Sequence, residues 1–417
     1  MKHSVFFLAT VSAVVICSNT SCKKTTESVS PSPDPIVIVD TSTTDLTSLN
    51  YSIEQATDWT GLFKRTSGWI GGDGIFSIPL SGVDSVNAGK AGKTLLLFSD
   101  TQLGEIENGV LSDNSHLIHN SVAIIDGNEP QPSKVNFFWK NVDGNPVSVF
   151  VPNTPLAVKE DFFWLGDGFV NSKLKNETNI LAYKIRNVNT SAGFALAGSS
   201  IISIPAGSEP PFSDATQMDS PLFVEGDKID NGYAFGAGIF VNTKEAGAPH
   251  PDGYVYVYGV KPVPGFLNKG LMVARVLPGN FKDFSQWNFW DGQQWSIDIH
   301  HIKNAFVITD RVSDELSLTP LPDGRYVLVF QADVWGSVAL RIAKSPVGPF
   351  GPVIPVWDCK EALTGKDYFA YNAKAHPNLS KTGELLISFN VNSFNYFNDL
   401  QSDPNLYRPR FLRLKFK

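Results

Sequence analysis

Cysteine is nearly missing from this 417-residue chain: there are three, at positions 17, 22 and 359. A disulfide framework is therefore excluded as the source of stability. Basic charge is also short, with 34 Lys+Arg against 41 Asp+Glu and a net charge of −7. That balance excludes a nucleic-acid binder, whose phosphate contacts need clustered Lys and Arg. Charged residues are only 18% and methionines only 3. Phosphate-cradling glycine loops, a G-x-S-x-G elbow and a Cys/His nucleophile pair are all lacking. What is abundant is aromatic and turn-forming: Phe 29, Trp 9, Tyr 11, Gly 34 and Pro 27. That composition, with 42% apolar residues, points to a globular β protein.

Apart from the first residues, no long apolar run occurs. Lys2 and His3 precede an apolar stretch from Val5 to Cys17, broken only by Thr10 and Ser12. A bilayer span needs about 20 residues, so this stretch is read as a secretory signal. It ends in Ser18-Asn19-Thr20-Ser21-Cys22, which resembles a lipobox with Cys22 as the lipidation site; an ordinary signal cut nearby is the plainer alternative. The expectation is residues 1–22 as signal peptide and 23–50 as a Ser/Thr/Pro-rich tether. The protein is then exported and anchored to a bacterial membrane by lipid alone. Cys359 is left without a partner and reads as a small core residue.

From about residue 59 short apolar strands recur between Gly, Pro, Asn and Asp breaks. One phrase returns, with an aromatic six residues after a glycine: Gly92 to Phe98, Gly324 to Phe330 and Gly383 to Phe389. A looser copy runs from Gly253 to Tyr258. Each phrase reads as the second strand of a four-stranded antiparallel sheet. Five such sheets can be laid out. The first starts at Asp73, runs through Phe98 and 121–126, and ends at 137–140. The second is 162–171, 180–187, 194–204 and 221–224. The third is 234–241, 254–260, 271–276 and 287–290. The fourth is 315–321, 326–331, 338–343 and 353–357. The fifth is 375–379, 385–390 and 410–416, with the segment 59–65 as its missing strand. The fold class is thus all-β, a five-bladed β-propeller over 51–417. A pair of β-sandwiches is the alternative.

In a propeller the leading ends of the innermost strands converge on one face. Those ends carry Gly71-Gly72-Asp73-Gly74, Leu165-Gly166-Asp167-Gly168, Phe235-Gly236-Ala237-Gly238, Ser313-Asp314-Glu315-Leu316 and Lys374-Ala375-His376-Pro377. Carboxylates gathered on one axis suit glycoside hydrolysis, which needs one protonated acid and one carboxylate. The plainer reading of Gly-Asp-Gly is a turn. Around these lie Asp100, His119-Asn120-Ser121 and Tyr371-Asn372. Trp69, Trp164 and Trp290 are candidate sugar-stacking rings, or core. His300-His301 has only Asp298 at a metal spacing, so no metal and no cofactor is expected.

Several phrases carry a resemblance. They are Trp69-Ile-Gly-Gly-Asp73-Gly-Ile-Phe-Ser-Ile-Pro-Leu80, Leu97-Phe-Ser-Asp100-Thr101, Val273-Ala-Arg-Val276, Gly324-Arg-Tyr-Val-Leu-Val-Phe330, Ser345-Pro-Val-Gly-Pro-Phe350, Tyr371-Asn-Ala-Lys-Ala-His376-Pro and Ser388-Phe-Asn-Val-Asn392. Over residues 59–417 the chain resembles a family of exported bacterial proteins catalogued as a domain of unknown function. That family is related to five-bladed endo-D-arabinanases of glycoside hydrolase family 183, and more distantly to arabinanase and invertase propellers. The resemblance implies a monomeric hydrolase of a polysaccharide or oligosaccharide, with arabinofuranose polymers foremost. Asp73 matches a first-blade acid and Asp167 a second-blade acid. The third blade has Ala237 where an acid is usual, and Glu315 stands one blade further on. The expected roles are Asp73 as base or nucleophile, Glu315 as acid and Asp167 as the tuning carboxylate. Trp69, Asp100, Asn120, Tyr371 and His376 are expected to hold sugar. A glycan-binding propeller without catalysis, or a protein-binding scaffold, would use the same fold.

Overall fold

Short apolar runs bounded by turn residues form most of the regular structure as strands, and these hydrogen-bond into antiparallel sheets. The computed structural model describes residues 44–189, 193–226, 232–333 and 336–417, without the side chains of His300 and His301. The expected signal peptide, Cys22 and most of the tether lie outside the described residues. The last tether residues are held: Arg325 Nη1 donates to the carbonyls of Asp45 and Ser48 at 2.7 and 3.0 Å. Leu46 and Leu49 pack on the apolar core beside them. Among the described residues no helix is long and apolar enough to cross a membrane.

The first sheet is Phe76–Pro79, Lys93–Phe98, Ser121–Asp126 and Val135–Phe138. The second is Phe162–Asn171, Glu177–Asn187, Phe194–Ile204 and Thr216–Ser220. The third is built on Tyr233–Asn242, Tyr254–Pro262, Lys269–Val276 and Asn288–Trp290, with two-residue strands added at its margins. The fourth is Leu316–Pro320, Tyr326–Gln331, Val338–Ala343 and Ile354–Trp357. The fifth is Tyr368–Ala375, Glu384–Ser393, Arg410–Phe416 and, from the other end of the chain, Tyr51–Gln55.

Three expected strands are corrected. The strand that completes the fifth sheet is Tyr51–Gln55, paired with Arg410–Phe416, and not the segment 59–65. There Trp59, Leu62 and Phe63 have helical spacing, and Thr57–Leu62 is a short helix burying Trp59 and Leu62. The second sheet ends with Thr216–Ser220, while Phe223–Val224 pairs with the third sheet instead. Pro221 has no N–H for a ladder and separates the two. The first strand of the fifth sheet is Tyr368–Ala375, not 375–379, because Pro377–Leu379 forms a 3₁₀ turn.

Five apolar clusters lie among the described residues, and each joins neighbouring sheets. They join first to second, second to third, third to fourth, fourth to fifth, and fifth back to first. The first strands of the sheets touch in the same order. Ser99 Oγ accepts from Leu165 N at 2.9 Å, and Asp167 Oδ2 accepts from Ile239 N at 2.7 Å. Ser317 Oγ accepts from Ala375 N at 2.8 Å, and His376 Nδ1 lies 2.9 Å from Ser77 Oγ. Glycine permits the closest approaches: a Cβ on Gly238 would stand 2.7 Å from the Leu316 carbonyl. A Cβ on Gly166 would stand 2.8 Å from that of Gly236.

Asn120, expected to meet sugar, instead braces this frame. It is wholly buried, donates to the Phe150 and Phe163 carbonyls at 2.8 and 3.1 Å, and accepts from Phe150 N at 2.7 Å. Asn120→Ala leaves these three buried groups unpaired and is expected to cost about 2–4 kcal/mol. The check is a lowered urea midpoint at unchanged m-value.

Candidate active site

The site is made where the first strands leave ideal geometry. Ser67–Gly72 pairs with Thr101–Glu107 in a separate sheet, and after Asp73-Gly74-Ile75 the chain enters the first sheet and pairs with Lys93–Phe98. Across this kink Asp73 N donates to the Asp100 carbonyl and Ser99 N to the Asp73 carbonyl, at 3.2 and 2.9 Å. Two acids are thereby set side by side. Gly74 takes a φ of +67°, which most other residues avoid. The second, third and fifth first strands each bulge, between Leu165 and Gly168, Phe235 and Gly238, and Tyr371 and Lys374. Bulges re-aim side chains beside active sites. Gly166-Asp167-Gly168, for which a turn was the plainer reading, is a bulge within a strand.

Asp73, Glu315 and Asp167 are linked through a chain of neighbours. Glu315 Oε1 would lie 3.3 Å from a Cβ on Gly74, so the fourth sheet delivers its acid next to Asp73. Glu315 pairs with Lys374 Nζ at 2.5 Å, both nearly out of solvent. Lys374 also donates to the Asn372 carbonyl at 3.1 Å and lies 4.6 Å from the Phe76 ring centre. Beyond Lys374 stand Asp167 and Asp84. Asp167 spends both oxygens on backbone N–H groups, those of Gly168 at 2.8 Å and Ile239 at 2.7 Å. A cavity of about 30 Å³ beside it is lined by Asp84, Asp167, Ser317, Thr319, Lys374 and His376. It has room for a water or two and not for a sugar ring.

Burial sets the proton affinities. Burial first, then the charge of Asp100, pushes the Asp73 carboxyl up to about 7, and Glu315 adds to this. The Tyr371 hydroxyl, which donates to Asp73 Oδ2 at 2.7 Å, opposes the shift. Burial raises Glu315 as well, with the Lys374 ammonium acting against it. Asp84 is pushed up to about 7 by burial. Asp167 is pushed up to about 7 by burial, with Asp84 adding and the two N–H donors opposing.

Asp100 accepts from Trp164 Nε1 at 3.0 Å and lies 2.9 Å from His119 Nδ1. Tyr371 is where the sequence placed it, at the acids. Three expected residues are corrected. Trp69 is 1% exposed and stacked on Phe137, so it offers a sugar no face. His376 is buried between Ser77 and Ser388, and burial with the nearby Lys374 pushes its imidazole down to about 3. Asn120 is the brace already described. Asp167 stands on the far side of Lys374, so the charges acting most on Asp73 are Asp100 and Glu315. The reading of the sequence missed Lys374, Asp84 and Tyr407, whose hydroxyl also bonds to Asp73 and opposes its shift. Only Lys374, in Asn-Ala-Lys-Ala-His, carried a signal: a cation in an otherwise uncharged strand.

Residues 56–416 match the family described as Domain of unknown function (DUF5005); the chain belongs to that family. No curated protein matches it. Among solved structures, a presumed hydrolase from Bacteroides ovatus ATCC 8483 is 19% identical, with a TM-score of 0.65 over 87% of this chain and 90% of that one. The two share a fold. Looser likenesses include Zg3597, a family 117 glycoside hydrolase of Zobellia galactanivorans. It is 10% identical with TM-score 0.46, over 88% of this chain and 90% of that one. Another is an exo-1,5-α-L-arabinanase from a bovine ruminal metagenomic library, 10% identical with TM-score 0.39, over 79% and 91%.

The raised carboxyls give a stability signature. A carboxyl raised in the folded state contributes stability below its ordinary value, and this is lost as pH rises through the folded value. Asp84 and Asp167 should therefore lower Tm between about pH 4 and 7. Asp84→Asn is expected to flatten that decline in a pH series of thermal melts.

Proposed function

We propose that this protein is an exported, lipid-anchored glycoside hydrolase built as a five-bladed β-propeller. Five sheets that touch in a closed order, with an apolar cluster at every junction, are what radial packing requires. The observation that carries the chemistry is Asp73, pushed up to about 7 beside two further acids. A carboxyl still protonated near neutral pH can give its proton to a leaving glycosidic oxygen. The geometry favours different roles from those expected in the sequence. Asp73 is the proton donor. Asp100, with an indole N–H and a histidine on one oxygen, is the carboxylate that activates water or attacks the sugar. Glu315, neutralised by Lys374, holds the pair in place and keeps Asp73 protonated. Arabinofuranose-containing glycans are the first substrates to test, on the strength of the sequence resemblance. The lipobox-like stretch ending at Cys22 supports export and a lipid anchor.

A non-catalytic glycan-binding propeller is the second reading, favoured by one observation. Ala237 stands in the third sheet at the position where the sequence resemblance implies an acid. A screen of arabinan, arabinogalactan and fructan for released reducing ends separates the two. If hydrolysis occurs, Asp73→Asn should lower kcat by roughly 10²–10⁴-fold while glycan affinity persists. The native rate should fall as pH rises past about 7, where Asp73 loses its proton. Glycan retention with no turnover in either form establishes the binder.

A further inference from the structure

A second cavity lies apart from the acids. Its volume is about 210 Å³, against about 30 Å³ for the one beside Asp167. It forms where three first strands end. Val170 and Val241 are the last residues but one of Phe162–Asn171 and Tyr233–Asn242, and Ser81-Gly82 follow Phe76–Pro79. Asp73 precedes that last strand at its opposite end. The lining includes none of Asp73, Asp100, Glu315, Lys374, Asp167 and Asp84. Its walls are preformed. Asn171 is wholly buried and ties two of them together: its Oδ1 accepts from Lys173 N at 3.1 Å, and its Nδ2 donates to the Pro278 carbonyl at 2.9 Å. The hairpin that follows passes through Lys175 and Asn176, both at a φ of +57°, a region most residues with a side chain avoid. Across the cavity, Thr243 Oγ1 accepts from Ala246 N at 3.2 Å and closes the opposite turn.

We propose that this cavity binds a single uncharged sugar ring. Phe169, Val170, Val241 and Pro278 offer apolar surface to the C–H groups of such a ring. The hydroxyls of Ser81, Ser172 and Thr243 and the amide of Asn176 can both give and take hydrogen bonds with its hydroxyls. The Glu245 carboxylate adds a charged acceptor, which makes the stronger kind of bond. Glu245 is steadied by Lys173 Nζ at 2.7 Å. No lysine or arginine lines the cavity among the described residues, so an anionic ligand would meet no cation within it. A cationic ligand would meet a carboxylate already paired. Typical small-molecule sites measure roughly 300–1,000 Å³; this smaller volume fits one ring and not a chain. The proposal makes no use of the acids and holds whether they cleave a glycan or only bind one.

The test is calorimetry and ligand-detected NMR on the purified full chain. The probes are L-arabinose, D-galactose and D-glucose, with glucuronate and glucosamine as charged counterparts. At least one neutral sugar should bind saturably, and the charged sugars about 5-fold more weakly or worse. Ser172→Trp sets an indole in the cavity and should weaken the neutral sugar by about 10-fold or more. Glu245→Gln should weaken it by about 5-fold. Both positions are exposed, and an unchanged melting temperature confirms folding. Cleavage or retention of polymeric glycan belongs to the acids and should be untouched by Ser172→Trp. Undiminished sugar binding in folded Ser172→Trp puts the sugar elsewhere and overturns the proposal. So does equal binding of the charged sugars, or no saturable binding by any of the three neutral ones.

Discussion

The Lys374 ammonium sets the terms on which the buried acids coexist. First strands and the loops beside them bring Asp100, Asp73 and Glu315 within electrostatic reach of one another, and Asp167 within reach of Asp84, in poorly solvated surroundings where unrelieved carboxylates would repel. Lys374 neutralises Glu315 directly and opposes burial at Asp167. It is itself held by the Asn372 carbonyl and the Phe76 ring. Asp73, Asp84 and Asp167 all keep a raised proton affinity, so the ion pair relieves Glu315 directly and leaves these three as the groups that hold protons. One ion pair divides a row of like groups into those that carry charge and those that carry hydrogen.

Bulges are the means by which an ordinary antiparallel frame reaches this state. A regular strand would send alternate side chains into the spaces between sheets, where the apolar clusters lie. The extra residues at Gly166-Asp167 and Asn372-Ala373 break that alternation. Asp167 crosses to the third sheet, and Lys374 turns towards Glu315. The third sheet keeps its bulge at Gly236-Ala237 but carries no acid there. Just beyond this bulge Gly238 comes close to the Leu316 carbonyl, and Ile239 N donates to Asp167.

Much of the fold was legible because second strands bury both faces. Phe98, Phe330 and Phe389, the aromatics that follow glycine by six, are all wholly buried in the second strands of the first, fourth and fifth sheets. First strands were harder. In Tyr368–Ala375 the polar Asn372 sits at a φ of +57° and polar Lys374 is buried, which erases the usual alternation. The convergence of Asp73 and Glu315 was legible from the placement of acids at strand starts. The identities of the braces were not. Asn120, His376 and Trp69 look like ligand-binding residues in a sequence, and only their burial shows that they hold the frame. Asp84, in Ser-Gly-Val-Asp-Ser, looks like a surface turn for the same reason.

The fifth sheet joins the two ends of the described chain, since Tyr51–Gln55 lies against Arg410–Phe416. During synthesis that early strand must wait, with its hydrogen-bonding groups unpaired, until the last strand has been made. The fifth sheet is therefore completed only at the end, and until then its unpaired strands can pair with a neighbouring molecule. For such a chain the hazard lies in the interval before closure, so slow elongation or a clipped final strand would produce aggregates rather than a loosened but working protein.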